Sequence, residues 1–157
     1  LPREDAGMLG AVGPTLRGSG VKSDTRMTGY GCYREVDFEP VVETDGDSYS
    51  RGVVRAKEVL QSLGLIQQGL ERLPEGEIKV DFKGRLNGEV LTRMEQPRGE
   101  VIYYLKASNS RNLDRLRIRT PTFANLPSLM KILPGSQLAD VPVIVLSIDP
   151  CISCTER

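Results

Sequence analysis

Two cysteines near the C-terminus, Cys151 and Cys154, have a residue type and spacing that can bind a soft metal or form a redox disulfide. The chain has three cysteines and no histidine, so Cys and His side chains alone cannot complete the four ligands of a structural zinc site. A thioredoxin-like pair would begin a helix, and we expect no helix after this one. We therefore interpret the pair as half of a soft-metal site whose other thiolates come from elsewhere.

The composition excludes several classes of protein. The 157 residues suit one domain, and 21 basic residues balance 21 acidic ones. This balance argues against nucleic-acid binding and against a polybasic membrane anchor. The sequence lacks an apolar run long enough to predict a membrane span. Three cysteines are too few, and odd in number, for a disulfide framework, so we expect a cytoplasmic setting. The absence of histidine also excludes His-based catalytic triads.

A second candidate for chemistry is Arg98, which stands between Pro97 and Gly99. Proline restricts the backbone and glycine permits close approach, so together they can aim the arginine side chain. The alternative interpretation is a surface ion pair between Arg98 and Glu95 or Glu100.

The elements that must position these residues are helices and a small sheet. Apolar residues at steps of three and four predict a long amphipathic helix near residues 47–73, with N-cap residues before it and Pro74 after it. Alternating and β-rich segments predict strands near 77–83, 100–107 and 114–119, and residues 84–99 are interpreted as a loop or short helix. Short helices are expected over 123–132 and after Asp140. The fold class is therefore α+β.

The last nine residues, DPCISCTER, resemble the C-terminal metal motif of [NiFe] hydrogenase large subunits. Because it ends in arginine, the motif resembles that of the energy-converting, membrane-associated group. This group includes Ech-type hydrogenases and the hydrogenase of formate hydrogenlyase. The segments EQPRGE at 95–100 and RTPTFAN at 119–125 are similar to two further motifs of that family. Residues 10–26, the long helix and residues 138–141 also resemble the related 49 kDa subunit of respiratory complex I.

The resemblance implies roles for particular residues. Cys151 would be a terminal nickel ligand, Cys154 would bridge nickel and iron, and Arg98 would overhang the open metal position and act in catalysis together with Cys151. The residues expected around them are Glu95, Pro97, Pro121, Thr122, Asp149 and Pro150. The alternatives are a strand-ending turn for Pro121 and Thr122, and a turn or N-cap role for Asp149.

The family builds its centre from two such cysteine pairs, and only one is present here, because Cys32 matches neither pair. Residues 1–157 are therefore interpreted as a single C-terminal domain of a large subunit, expected to bind no complete Ni–Fe centre alone. The partners that the resemblance implies are the N-terminal half of the same subunit, an iron–sulfur small subunit and membrane subunits, with the chain on the cytoplasmic side of the membrane.

Two alternative functions stay open. One is a quinone- and proton-coupling subunit like that of complex I, which by resemblance carries no terminal cysteine pair. The other is a non-catalytic assembly module whose metal site has been lost. Three arginines on one strand, Arg115, Arg117 and Arg119, are interpreted as a surface that covers acidic groups of a partner subunit.

Overall fold

The computed structural model describes residues 1–81 and 83–156, which form helices and a three-stranded antiparallel sheet in an α+β arrangement. The α-helices are α1 (Arg3–Met8), α2 (Pro14–Arg17), α3 (Ser48–Glu71), α4 (Pro121–Ile132), α5 (Val141–Ile148) and α6 (Ile152–Thr155). The strands are β1 (Leu86–Gln96), β2 (Gly99–Ser110) and β3 (Arg115–Arg119). The short 3-10 helices span Thr25–Thr28, Gly31–Arg34 and Leu138–Asp140. The predicted fold class is confirmed.

The long helix α3 begins where the sequence predicts, because the Asp47 carboxylate accepts a hydrogen bond from the Ser50 backbone N–H at 2.7 Å. The N-terminal half of α3 packs against α2 and α5 and buries Arg51 and Val54. The C-terminal half leaves most of its apolar side chains 59% to 70% exposed. These side chains are Leu60, Leu63, Ile66 and Leu70. The apolar face that the periodicity predicts is thus buried over only part of the helix.

The sheet has the order β1–β2–β3 with antiparallel pairing throughout. Gln96 lies opposite Gly99, so Pro97 and Arg98 form the two-residue turn of the β1–β2 hairpin. Ile102 of β2 lies opposite Arg119 of β3, and the predicted second and third strands are confirmed.

The strand predicted at 77–83 is wrong for the residues that the structure describes there, 77–81 and 83. Ile78 and Val80 are exposed and have no strand beside them in the described residues, so their alternation buries no face. Residue 82 of that prediction lies outside the described residues. The loop or short helix predicted over 84–99 is also wrong, since β1 occupies most of that segment. Most of β1 is exposed on both faces, which explains why it lacks an apolar alternation.

Each of the two helices that precede the cysteines has a proline in its first turn. Pro121 opens α4, and Pro142 lies in the first turn of α5, where a missing N–H costs no helical hydrogen bond. The helix predicted over 123–132 is therefore confirmed and starts two residues earlier. At the N-terminus, the segment that joins α1 to α2 holds Gly10 and Gly13, and Gly13 just before α2 lies directly against the hairpin turn.

Candidate functional site

The turn that carries Arg98 is held against the N-terminal segment by two glycines. A Cβ atom on Gly13 would lie 2.4 Å from the Arg98 carbonyl oxygen, and one on Gly99 would lie 2.6 Å from the Gly13 nitrogen. Gly99 has a φ of +126°, which side chains rarely allow. The buried Asn125 of α4 reinforces this contact, because its amide oxygen accepts from Val12 N at 2.9 Å. The position of Arg98 is therefore fixed from two sides.

The Arg98 side chain binds the residue that ends α5. Its Nε donates to the Asp149 carbonyl oxygen at 2.7 Å and lies 3.2 Å from the carboxylate Oδ2. Asp149 has a left-handed backbone conformation, with φ of 56°, which ends α5 and turns the chain toward Cys151. The structure thus brings Arg98 and Asp149 together across 51 positions of sequence. The predicted turn role of Asp149 is present as well.

The alternative pairing of Arg98 with Glu95 or Glu100 is wrong. Glu95 instead binds Arg17, and Glu100 binds Arg93 and Arg119. Since Arg119 is engaged in this way, it does not form part of a free basic surface on β3, whereas Arg115 and Arg117 are exposed.

Cys151 immediately precedes the one-turn helix α6 and Cys154 lies within it, next to Thr120 and Thr122 at the start of α4. The Cys151 backbone N–H donates to the Thr122 Oγ1 at 3.2 Å, and the Thr120 hydroxyl donates to the Cys154 carbonyl. Contrary to expectation, a one-turn helix does follow Cys151. Both thiols are free and half-buried, and Cys151 Sγ lies 3.1 Å from the Ser153 hydroxyl oxygen.

The surroundings of the two thiols separate their acidities. Hydrogen bonds from the Ser153 hydroxyl and from the Cys154 backbone N–H, followed by the charge of Arg98, lower the pKa of Cys151 to about 7. Burial, followed by the adjacent Cys151, raises the pKa of Cys154. Near neutral pH the site therefore pairs one thiol that is ready to lose its proton with one that keeps it.

The remaining candidate residues fall into two groups. The first group lies beside the Arg98 turn or the cysteines. Pro97 precedes Arg98 and exposed Pro150 precedes Cys151 in sequence. Thr122 contacts Cys151 through its hydroxyl oxygen, and buried Pro121 precedes Thr122. Cys32 is exposed and lies instead in a cleft beside Ile66 and Leu70 of α3. The structure thus gives Cys32 no shared surroundings with the pair among the described residues.

Arg55 was missed by the sequence reasoning. Its Nη1 lies 3.6 Å from the Asp149 carboxylate, and its Nη2 donates to the Ser147 carbonyl at 3.0 Å, so a second guanidinium supports the turn before Cys151. Arg51 and Arg55 are four residues apart and Glu58 follows three later, which places the three on one helical face. This spacing of charged residues in an amphipathic helix is the sequence feature from which Arg55 could have been identified as a candidate.

A soft metal suits the Cys151–Cys154 pair in part. Two thiols side by side are suitable ligands for nickel, iron or zinc. Within residues 1–81 and 83–156, however, no cluster of three or more Cys, Asp or Glu side chains has the geometry to hold a metal ion. The donor set therefore fits half of a four-thiolate site, and the remaining ligands would have to come from outside these residues.

Comparison with known proteins identifies the family. The family model described as respiratory-chain NADH dehydrogenase, 49 Kd subunit, matches residues 1–86 and 81–157. The chain belongs to this family.

Relatives within the family include hydrogenases. The chain is 44% identical to the carbon monoxide-induced hydrogenase of Rhodospirillum rubrum and 40% identical to the membrane-bound hydrogenase subunit alpha of Pyrococcus furiosus. Both alignments cover 100% of this chain, but only 44% and 41% of those proteins. An NADH-quinone oxidoreductase subunit of Koribacter versatilis is 35% identical, with 46% of its length covered.

A solved structure matches the fold over the whole chain. It is that of the membrane-bound sulfane sulfur reductase, an archaeal respiratory membrane complex, with a TM-score of 0.92 and 33% identity over 100% of this chain and 45% of that one. The chain thus spans less than half the length of the relatives it matches. None of the helices described in the present chain is both long and apolar enough to cross a membrane.

Proposed function

We propose that this chain is the part of a membrane-associated [NiFe] hydrogenase large subunit that supplies two thiolate ligands, Cys151 and Cys154. The reaction is the reversible oxidation of H2 to two protons and two electrons. The observation that carries the proposal is the thiol pair that Cys151 and Cys154 form at α6, with Arg98 close enough for its charge to act on the pKa of both thiols. The identity to two hydrogenases supports it.

A Ni–Fe centre, when bound, would supply the site at which H2 is split and from which electrons leave. Cys151 and Cys154 would hold it together with two thiolates from the rest of the subunit. Thiolates suit both metals because soft ligands stabilise low oxidation states and tolerate bridging.

The chain's own residues would manage charge and protons around that centre. The Cys151 sulfur is the atom that would accept and release the proton of the H2 reaction. Arg98 offers a permanent positive charge. The position of its side chain is fixed by Asp149 and by the close contact between Gly13 and Gly99 behind the turn. Thr122 orients the backbone of Cys151 through its hydroxyl oxygen.

The partners we propose are the N-terminal half of the subunit, an iron–sulfur subunit that accepts the electrons, and membrane subunits on the cytoplasmic side. The exposed apolar residues of α3 support a covering segment, since an apolar stripe of this length is usually buried. Exposed Arg115 and Arg117 support an acidic partner surface beside β3.

The alternative is a quinone- and proton-coupling role like that of complex I. The family description and the NADH-quinone oxidoreductase relatives favour it. The cysteine pair favours the hydrogenase, because by resemblance the complex I protein has no such pair.

The test is H2-dependent reduction of an artificial electron acceptor by the complete complex, in the wild type and in two variants. We expect turnover in the wild type, loss in Cys154→Ser, and retention in Cys32→Ser, whose thiol lies in a different cleft. Absence of H2 turnover in an intact, metal-replete complex would favour the alternative. Equal activity in Cys154→Ser and Cys32→Ser would contradict the ligand role.

A further inference from the structure

A single buried carboxamide joins the Arg98 turn to two other parts of the chain, and the proposed function does not use it. The carboxamide belongs to Asn125 of α4, which is 0% exposed. Its Oδ1 accepts from the Val12 backbone N–H at 2.9 Å, and its Nδ2 donates to the Val12 carbonyl oxygen at 3.2 Å. The same Nδ2 donates to the Arg98 carbonyl oxygen at 3.4 Å. Asn125 thus pairs with Val12 as a neighbouring peptide group would, and reaches the turn at the same time.

The backbone groups that Asn125 binds lie where two segments of backbone touch. A Cβ atom on Gly13 would lie 2.4 Å from the Arg98 carbonyl oxygen, so no side chain fits between the N-terminal segment and the turn. A buried backbone N–H or carbonyl without a partner is costly. Asn125 supplies a partner to three such groups at once, and therefore makes this close contact favourable.

The helix that carries Asn125 also contacts the cysteine segment. Thr122 of α4 accepts from the Cys151 backbone N–H at 3.2 Å. Thr122 and Asn125 are three residues apart, so they lie on one face of the helix, about 4.5 Å apart along its axis. One rigid face of α4 therefore holds the cysteine segment at Thr122 and the Arg98 turn at Asn125.

The Arg98 residue is consequently held at both ends. Its carbonyl oxygen accepts from Asn125, and its Nε donates to the Asp149 carbonyl oxygen at 2.7 Å. Loss of the first contact would free the backbone of the turn and leave only the side-chain contact to fix the guanidinium.

We propose that Asn125 is a positioning residue, which holds the Arg98 turn at a fixed distance from Cys151 and Cys154 and acts on the H2 reaction only through Arg98. Asn125 itself transfers no proton and no electron. A displacement of about 1 Å in a group aimed at the reacting atoms can lower turnover about 10²-fold. The catalytic part of the proposal rests on the proposed function, whereas the holding of the turn does not.

The first test is amide hydrogen exchange in the complete polypeptide, and it needs no activity. The wild type is compared with Asn125→Ala and with Ser128→Ala. Ser128 is the matched control, because it lies on the same helix, is 0% exposed, and its hydroxyl has no hydrogen-bond partner among residues 1–81 and 83–156.

We expect the Val12 amide to exchange at least about tenfold faster in Asn125→Ala, with α3 unchanged, and to exchange as in the wild type in Ser128→Ala. Unchanged exchange at Val12 in Asn125→Ala would overturn the proposal. Equal acceleration throughout the chain would also overturn it, because Asn125 would then stabilise the whole fold and not this contact.

If Asn125→Ala does not fold, Asn125→Ser replaces it in both tests. Serine keeps a polar group, but its hydroxyl has one donor and cannot serve two carbonyl oxygens at once. Exchange at Val12 and at the turn should still accelerate, by a smaller factor than for alanine. Exchange equal to that of the wild type would overturn the proposal.

The second test is a double-mutant cycle on H2 turnover per nickel in the complete complex. We expect Asn125→Ala to lower the maximal turnover about 10–10²-fold, with nickel content and the KM for H2 unchanged, while Ser128→Ala behaves as the wild type. In an Arg98→Lys background the same change should alter turnover by less than about twofold, because the residue through which Asn125 acts is already lost.

The cycle separates positioning from a general structural role. An equal fold-loss in both backgrounds, or loss of nickel in Asn125→Ala, would show that Asn125 does not act through Arg98 and would overturn the proposal. If the wild type has no H2 activity, the proposed function fails, and the exchange result alone decides whether Asn125 holds the turn.

Discussion

Replacing Gly99 by alanine tests the contact that fixes Arg98. The new Cβ would lie 2.6 Å from the Gly13 nitrogen, 2.7 Å from the Val12 Cγ2 and 2.8 Å from the Val12 carbonyl carbon. Two of these three atoms belong to the backbone, so relief requires the hairpin turn to move away from the N-terminal segment. The φ of +126° adds strain to any residue with a side chain.

The size of the effect follows from these two terms. Overpacking costs about 1–3 kcal/mol and a glycine-only backbone conformation costs about 1–3 kcal/mol. The reduced freedom of the unfolded chain returns about 0.4–1 kcal/mol. We therefore expect Gly99→Ala to lower the free energy of unfolding by about 1–6 kcal/mol.

The assay is urea unfolding of the complete polypeptide, with Gly52→Ala as the matched control. Gly52 lies in α3, and a Cβ there would have no neighbour within 4 Å, so alanine should stabilise the helix by about 0.5–1 kcal/mol. The two variants should thus shift the midpoint in opposite directions at an unchanged slope. A midpoint for Gly99→Ala within about 0.5 kcal/mol of the wild type would refute the claim that this close contact holds the turn.

Two further predictions concern the site itself. Arg98→Lys keeps a positive charge but loses the planar group that contacts the carbonyl and carboxylate of Asp149, so H2 turnover should fall about 10²–10³-fold while nickel content stays unchanged. Normal turnover would remove Arg98 from the catalytic machinery, and lost nickel would make it structural. Alkylation of Cys151 in the metal-free chain should accelerate as pH rises through about 7, because the thiolate is the nucleophile. Ser153→Ala should move that midpoint upward, and an unmoved midpoint would contradict the role of the Ser153 hydroxyl.

The sequence predicts the elements whose signal is local. The long helix and its Asp47 cap, the strands near 100–107 and 114–119, and the proline-led helices all follow from periodicity and turn chemistry within a few residues. The first strand was misplaced for a physical reason. The alternation at Ile78 and Val80 predicts a strand with one buried face, but both side chains are exposed. β1 forms instead from residues that are largely exposed, so it has no apolar alternation to reveal it.

The site was predictable only through its motifs. The cysteines and the Pro97-Arg98-Gly99 turn stand out in the sequence, but the Arg98–Asp149 contact spans 51 positions and no local pattern encodes it. The ion pair between buried Arg17 and Glu95 was missed because isolated charged residues in a sequence indicate a solvated surface. Their burial becomes possible only when acids from distant segments, such as Glu95, compensate the arginine charges.

The ligand role of the terminal cysteine pair is tested most directly by the nickel content of the complete complex, measured by elemental analysis on matched preparations of the wild type, Cys151→Ser, Cys154→Ser and Cys32→Ser. The proposed function predicts about one nickel per chain in the wild type and in Cys32→Ser, and loss of nickel in the two variants of the pair, since a hydroxyl is a poor substitute for a soft thiolate ligand. Equal nickel content in all four proteins, or none in a wild-type complex that turns over H2, would contradict it.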